Sequence, residues 1–239
     1  LQAGIDIDAF HPRFRDEGVW ERLPEAKTSA VARDGAPLRV LYCGRVSVEK
    51  NLPLLTEIWR AAAPRLAAQG TPAELVIVGD GPYRAEMERE LAGTPARFLG
   101  FRHGVELSTI YASSDMFVFP SLTDTLGQVV MESQSSGLPV LVSDQGGPKE
   151  VVRHNETGMV LPGSSPAAWV EAIVGLARDG ERRQRMGRAA HESMLARSFR
   201  HSFEDFWRVH EETLEAHRAR GRAAYESAGQ APGIAAGTH

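Results

Sequence analysis

Two acidic side chains flank a predicted helix start in the stretch from Pro120 to Ser133. Asp124 stands just before the helix, which is predicted to begin near Leu126, and Glu132 lies inside it. Backbone N–H groups at a helix start attract phosphate because they have no partner within the helix. At about 1.5 Å of rise per residue, the two carboxylates are separated by roughly 12 Å along the axis. This distance excludes joint action on one atom and favours contacts with two ends of a long ligand, such as a nucleotide sugar.

Each acid also has a simpler interpretation. Asp124 is a good residue for a helix N-cap, and Glu132 would be an exposed helix acid with no obvious partner. Either interpretation is favoured when the residue is considered alone. The two residues together, beside a phosphate-attracting helix start, favour ligand binding.

A cationic segment follows the first predicted strand and opens a helix. Gly44 allows the backbone to turn sharply, Arg45 offers a planar fork for phosphate oxygens, and Lys50 adds a point charge. Two solvated surface cations are the alternative, but the position between strand and helix favours a phosphate site. The Ser-x-x-Lys pattern at Ser47 also occurs in penicillin-binding enzymes, whose Ser-Asp-Asn and Lys-Thr-Gly motifs are missing from this sequence.

Short apolar runs alternate with helical patterns from Leu38 onward and must position these residues. Strands are predicted at residues 38–43, 75–78, 97–99, 116–119, 138–142 and 158–161. The alternation predicts an α/β fold, a Rossmann-like open parallel sheet with helices on both faces. Such sheets bind ligands at the carboxyl ends of their strands, where the loops at 44–50, 79–81, 100, 121–127 and 143–147 gather.

Four regions follow from this pattern. We expect a linker and irregular lead-in at residues 1–37, a Rossmann-like domain at 38–196, a helix with an aromatic stripe at 197–220 and a disordered tail at 221–239. The Asp-x-Asp pattern at Asp6 and Asp8 is interpreted as plain linker, because no strand precedes it to aim a metal site.

Bulk properties and missing motifs exclude several functions. A net charge of −4 gives no reason to expect a nucleic-acid binder, and no apolar run approaches the length of a membrane span. The single cysteine, Cys43, excludes an internal disulfide and indicates a reducing compartment, so the cytoplasm is the expected location. Cys43 itself is interpreted as a small core residue. The sequence has no zinc-ligand spacing and no Walker loop, and His103 is assigned no catalytic role.

The motifs together resemble the nucleotide-sugar-binding, C-terminal half of a retaining GT-B glycosyltransferase of family 4. The matching segments occur in family order and cover most of residues 1–165. They are residues 4–12, 44–50, 78–82, 98–100, 120–132 and 136–140. As a set they are highly specific.

The resemblance implies a role for each candidate residue. Arg45 and Lys50 would bind the diphosphate and stabilise the leaving group, Glu132 would hold the ribose hydroxyls, and Asp124 would hold sugar hydroxyls near the reacting carbon. The remaining expected donor contacts involve mainly backbone, with the base read by main chain around Leu99. They are Gly44, Leu99, Thr125, Leu126, Gly127 and Gln128.

The implied reaction transfers a hexosyl group from a nucleoside diphosphate sugar to an unidentified acceptor with retention of configuration. A phosphate oxygen would help to deprotonate the acceptor, and no metal or other cofactor is expected. The helix at 197–220 would cross back toward a missing N-terminal domain that supplies the acceptor site, so this fragment alone would be inactive or nearly so. Arginines between 182 and 200 are interpreted as a solvated face, with peripheral membrane contact as the alternative.

Two departures and three alternatives remain open. The family usually has Glu where this chain has Asp124, and the segment from Gly146 to Glu150 differs from the common Gly-Gly-x-Pro-Glu spacing. A nucleotide-sugar epimerase or a pyridoxal phosphate-dependent phosphorylase could use the same scaffold. A non-catalytic nucleotide-binding module is the third alternative, disfavoured because Arg45 stands where an acidic phospho-acceptor pocket would be needed.

Overall fold

A six-stranded parallel sheet forms the centre of the computed structural model, which describes residues 4–23, 36–197 and positions 207, 208, 210, 211, 213–215 and 217. The strands are apolar and largely buried, as expected for parallel strands covered on both faces. They are β1 (Leu38–Cys43), β2 (Ala73–Val78), β3 (Ala96–Gly100), β4 (Met116–Phe119), β5 (Val140–Ser143) and β6 (Gly158–Leu161).

The strand order is β3-β2-β1-β4-β5-β6. It reverses at the pairing of β1 with β4, where Val40 lies opposite Met116. A reversal of this kind separates the loops that follow the two strands and opens a crevice at their carboxyl ends. The cationic and acidic segments identified in the sequence leave the sheet at this reversal.

Helices cover both faces of the sheet, with α2 packed against α6 and α5 against α7. Within the described residues the α-helices are α1 (Val19–Arg22), α2 (Leu52–Ala68), α3 (Arg84–Glu90), α4 (Gly104–Ala112), α5 (Gln128–Ser135), α6 (Pro166–Arg178) and α7 (Gly180–Leu195). Short 3-10 turns occupy Pro12–Phe14, Val48–Lys50 and Pro148–Val151. No helix in the described ranges is both long and apolar enough to cross a membrane.

Two tryptophans anchor the packing of α2 and α6. Trp59 and Trp169 are fully buried, and their indole N–H groups donate to the carbonyls of Pro95 at 3.1 Å and Pro162 at 2.9 Å. Large rings contribute much buried apolar area, and a satisfied N–H removes the cost of burying a polar group. The two side chains therefore stabilise the sheet from the helix layer.

Residues 5–23, before β1, pack onto the sheet. Ile5–Ser198 forms one compact unit, and the ring of Trp20 in α1 lies 4.9 Å from the guanidinium of Arg39. Arg39 and Arg97 both pair with Glu74, whose side chain is fully buried. A buried carboxylate is tolerated when cations neutralise it, so this cluster fixes the lead-in against the amino ends of the strands.

The predicted α/β fold is confirmed, with some shifted boundaries. β1, β4 and β6 have the expected limits, whereas β5 begins at Val140 and not at residue 138, because Pro139 has no N–H for the ladder. Asp6 accepts backbone N–H bonds from Asp8 and Ala9 at 3.0 and 2.9 Å, so it closes a turn. The predicted helix at 197–220 and tail at 221–239 lie outside the described residues except for residue 197 and the eight positions between 207 and 217.

Candidate functional site

An ion pair joins the loops that follow β1 and β4. Lys50 ends the turn Val48–Lys50, and its Nζ lies 2.7 Å from Oδ2 of Asp124. The two side chains are 21% and 24% exposed. Partial shielding from water strengthens the attraction between opposite charges. The structure therefore brings together a cation and an acid that the sequence placed in separate motifs.

Hydrogen bonds from side chains to backbone carbonyls hold these two loops against each other. Asn51 adopts a left-handed conformation at φ 57°, which asparagine tolerates better than most residues. Its Nδ2 donates to the carbonyl of Pro120 at 3.2 Å, and the Thr123 hydroxyl donates to the carbonyl of Glu49 at 3.4 Å. The position of Lys50 relative to Asp124 is thus set by the loops as well as by the ion pair.

The loop after β5 supports the acidic loop from the other side. Gly147 N–H donates to the carbonyl of Asp124 at 2.7 Å. A Cβ at Gly147 would lie 1.9 Å from the carbonyl oxygen of Thr125, and one at Gly146 would lie 2.8 Å from that of Asp124. This approach of two backbones leaves no room for a side chain at either glycine.

Helix α5 begins at Gln128, two residues after the predicted start near Leu126. Gly127 occupies the N-cap position with φ 70°, a conformation that glycine adopts freely and that keeps the preceding residues in the loop. Asp124 is therefore not an N-cap, and the 12 Å estimate does not apply, because half of the interval between the two acids is non-helical. The first turn of α5 still lies at the carboxyl edge of the sheet.

Glu132 is partly buried on α5, and the interpretation of an exposed, unpaired acid is wrong. Its Oε2 accepts a hydrogen bond of 3.0 Å from the Tyr111 hydroxyl, and the Gln128 side chain acts on the same carboxylate. Burial raises the pKa of Glu132 above its ordinary 4.5, while these two hydrogen bonds act in the opposite direction. Tyr111 was not among the site residues predicted from the sequence. Its hydroxyl, on the buried face of α4, was the available signal for a polar contact.

Arg45 remains largely in solvent. Its side chain is 64% exposed, and Nη1 lies 3.5 Å from Oε1 of Glu49. An exposed pair at this distance holds a side chain weakly, so the guanidinium can turn toward a ligand. Arg45 also lines an open cavity of about 560 Å³. The other lining residues are Asp80, Gly81, Pro82 and Phe101.

Glycines allow the loops after β1, β2 and β3 to touch. Gly79 N–H donates to the carbonyl of Gly100 at 2.8 Å, and a Cβ at Gly79 would lie 2.0 Å from the carbonyl oxygen of Gly44. The side chain of Leu99 is buried at 4% exposure.

The other candidate groups lie elsewhere or are inert. Burial raises the pKa of the Cys43 thiol to about 12, which suits a core residue. Arg182 donates to the Asn155 side chain at 2.9 Å and Arg183 to the Leu176 carbonyl at 2.7 Å, so part of the arginine-rich face is engaged within the protein.

Among the described residues, no three or more His, Cys, Asp or Glu side chains are grouped to hold a metal ion. A cavity of about 290 Å³ lies at the amino ends of β1, β2 and β3, away from the site.

A family model described as "Glycosyl transferases group 1" matches residues 25–193. The chain is 36% identical over 192 residues to a sulfoquinovosyl transferase from Arabidopsis thaliana, covering 79% of this chain and 35% of that protein. It is 37% identical over 197 residues to a GDP-mannose-dependent alpha-mannosyltransferase from Mycobacterium tuberculosis, covering 82% of this chain and 46% of that protein. The chain thus spans less than half the length of either relative.

A solved structure has the same architecture. The C-terminal domain of a group 1 family glycosyl transferase from Francisella tularensis superimposes with a TM-score of 0.67 at 17% identity. The match covers 81% of this chain and 97% of that domain. At this identity the likeness concerns the fold.

Proposed function

The chain belongs to the group 1 glycosyl transferases, and we propose that it is the donor-binding half of a retaining glycosyltransferase of family 4. Its fold is that of the C-terminal domain of a GT-B enzyme. In this proposal the site holds a nucleoside diphosphate sugar and supports transfer of the hexosyl group to an acceptor. The acceptor site belongs to a partner domain of the same enzyme.

The contact between Lys50 and Asp124 carries the proposal. It brings a cation suited to a diphosphate within 2.7 Å of an acid suited to sugar hydroxyls. Arg45 lies five residues before Lys50 in the same loop and is free to reach a phosphate. A ligand with adjacent anionic and hydroxyl-bearing parts fits this arrangement, and a nucleoside diphosphate sugar has both.

The proposed chemistry needs stabilisation of a leaving diphosphate. The bond between the anomeric carbon and the diphosphate oxygen breaks, a bond to the acceptor oxygen forms on the same face, and the acceptor proton passes to a phosphate oxygen. Arg45 and Lys50 offset the charge that develops on the diphosphate, which is the main electrostatic demand of the step. Asp124 accepts hydrogen bonds from the sugar, and Glu132 from the ribose.

Binding measurements test the donor site. Calorimetry of the chain with GDP, UDP and ADP is expected to show binding of at least one of them. Arg45→Ala is expected to weaken that binding about tenfold or more, because a hydrogen bond to a charged group is lost. Glu132→Ala is expected to weaken it to a similar degree through the ribose.

Arg65→Ala is the matched control. Arg65 lies on α2 and pairs with Glu171 on the surface at 2.7 Å, outside the proposed site. Its removal is expected to leave nucleotide affinity unchanged. Undetectable binding of all three nucleotides at millimolar concentration, or equal losses in Arg45→Ala and Arg65→Ala, would contradict the proposal.

Retention is tested on the full-length enzyme. The anomeric configuration of the product, measured by proton NMR, is expected to match that of the donor sugar, and an inverted product would exclude this part of the proposal. The isolated chain, assayed in parallel, is expected to transfer little or no sugar. Activity should return when the remaining part of the protein is supplied.

Family membership does not favour the alternative reactions. A pyridoxal phosphate-dependent phosphorylase would show the cofactor in the absorbance spectrum of the full-length protein. An epimerase would change the sugar of its donor in the absence of acceptor. Neither result is expected.

We further propose a cytoplasmic location, supported by the single cysteine, with peripheral membrane contact through the arginines of α7 as the alternative. Sedimentation with anionic vesicles tests the membrane contact. We expect no sedimentation of the chain with the vesicles.

A further inference from the structure

A buried tyrosine holds the acid that the proposed function assigns to the ribose. Tyr111, at the end of α4, is fully buried, and its hydroxyl donates to Oε2 of Glu132 on α5. We infer that Tyr111 is a positioning residue for donor binding, because this hydrogen bond fixes the Glu132 carboxylate in the orientation that accepts ribose hydroxyls. The inference rests on the proposed role of Glu132.

Aromatic contacts restrict movement of the Tyr111 ring. Phe10 meets it edge-on, with ring centroids 5.5 Å apart and an angle of 86° between the planes. Phe117 of β4 lies 5.9 Å away at 41°. A ring packed by neighbours in this way keeps one rotamer, so its hydroxyl has a fixed position. Glu132 is thereby held by a rigid donor.

Phe10 also connects the lead-in to the helix that carries the acid. Its carbonyl accepts a hydrogen bond of 2.6 Å from the Ser135 hydroxyl, and Ser135 lies on α5 three residues after Glu132. Phe10 therefore contacts both Tyr111 and α5, the helix that carries Glu132. The lead-in takes part in shaping the site, beyond its role as a connection.

The hydroxyl remains a donor at physiological pH. Burial raises the pKa of Tyr111 well above its ordinary value of 10.0, and the nearby Cys43 and Glu132 add to the increase. In return, the hydrogen bonds from Tyr111 and Gln128 lower the pKa of Glu132 against the effect of burial. Loss of the hydroxyl removes one stabilising contact with the ionised carboxylate, so the pKa of Glu132 should rise further. As the pH is lowered, the carboxylate would then become protonated at a higher pH than in the wild type, and binding that needs the ionised form would be lost there.

Tyr111→Phe tests the inference because it keeps the ring and removes the hydroxyl. Affinities are measured for GDP and UDP and for their 2′,3′-dideoxy analogues. The wild-type chain is expected to prefer the ribonucleotide of the base it binds. In Tyr111→Phe the ribonucleotide affinity should fall about tenfold, while the affinity for the dideoxy analogue changes little. The preference for the ribonucleotide over the dideoxy analogue is therefore expected to be lost. The loss of ribonucleotide affinity at acidic pH should also begin at a higher pH in this variant.

Two further measurements separate positioning from folding. Tyr83→Phe is the matched control, since the Tyr83 hydroxyl donates to Glu90 outside the site, and it should leave the preference intact. In a Glu132→Gln background, Tyr111→Phe should cause no further loss, because both changes act on one contact. Circular dichroism and thermal unfolding confirm that each variant is folded.

Phe10→Leu provides a second variant if Tyr111→Phe does not fold. It keeps the hydroxyl and loosens the ring, so the same preference should fall by a smaller factor. A folded Tyr111→Phe or Phe10→Leu that keeps the full ribose preference, or an additive loss in the Glu132→Gln background, overturns the inference and leaves the proposed function standing. A wild-type chain that binds nucleotides without any ribose preference overturns the role of Glu132 and the inference together.

Discussion

Removal of the Asp124 charge should tighten the binding of a nucleoside diphosphate. Lys50 is paired with Asp124 at 2.7 Å, so a diphosphate that takes Lys50 must displace the carboxylate. Asp124→Asn keeps the size of the side chain and removes this competition. The free lysine is then available to phosphate from the start.

The structure sets the magnitude of the gain. Exposed ion pairs contribute up to about 1 kcal/mol, and breaking a buried pair costs about 3–5 kcal/mol. Lys50 and Asp124 are 21% and 24% exposed, which places the pair nearer the lower figure, at about 1–1.4 kcal/mol. Since 1.4 kcal/mol corresponds to tenfold in affinity, we expect GDP or UDP to bind about five- to tenfold more tightly to Asp124→Asn. The gain should shrink at high salt.

The matching nucleotide sugar should gain less than the nucleotide. Asp124 is proposed to accept hydrogen bonds from the sugar, and an amide accepts them more weakly than a carboxylate. The assay is calorimetry of both ligands at low and high salt, with Glu49→Gln as the control. Glu49 is 56% exposed and 3.5 Å from Arg45, so its neutralisation should change nucleotide affinity by less than about twofold. Unchanged or weaker nucleotide binding in Asp124→Asn, or an equal gain in Glu49→Gln, would refute the reasoning.

Three further predictions concern the frame of the site. Glu74→Gln should lower the free energy of unfolding by about 3–5 kcal/mol, because two buried guanidinium groups lose the carboxylate that they share. Urea unfolding measures this free energy. A loss below about 1 kcal/mol would contradict the prediction. Gly147→Ala places a Cβ 1.9 Å from the Thr125 carbonyl oxygen and should weaken nucleotide binding, whereas Gly175→Ala, with nothing within 4 Å, should not; equal calorimetric affinities would count against the proposed loop packing. Cys43, with its pKa raised to about 12, should resist iodoacetamide near neutral pH until denaturant is added, and rapid labelling of the folded chain, measured by mass spectrometry, would argue against its burial.

The sheet could be predicted because its signals are local. β4 and β6 are short, mainly apolar runs, each preceded by a polar residue and followed by a proline, and their observed limits match the sequence pattern. The order of strand and helix then limits the topology, since parallel strands need crossover helices. The carboxyl edge of the sheet followed from this alternation, and with it the gathering of Arg45, Lys50 and Asp124.

The remaining features depend on contacts between distant parts of the chain. The start of α5 was misplaced because the conformation of Gly127, at φ 70°, decides it, and sequence pattern does not give φ. Tyr111 and Glu132 are 21 positions apart and meet through the packing of two helices. The neutralisation of Glu74 by arginines from two neighbouring strands is likewise a result of register.

A crystal structure of the chain with its preferred nucleoside diphosphate tests the central claim most directly. We expect the diphosphate within hydrogen-bonding distance of Arg45 and Lys50, the Lys50–Asp124 contact opened, and the ribose hydroxyls on Glu132 with Tyr111 still bonded to it. A nucleotide bound elsewhere, for instance in the cavity at the amino ends of the strands, would contradict the account. So would a diphosphate at the carboxyl edge that touches neither cation.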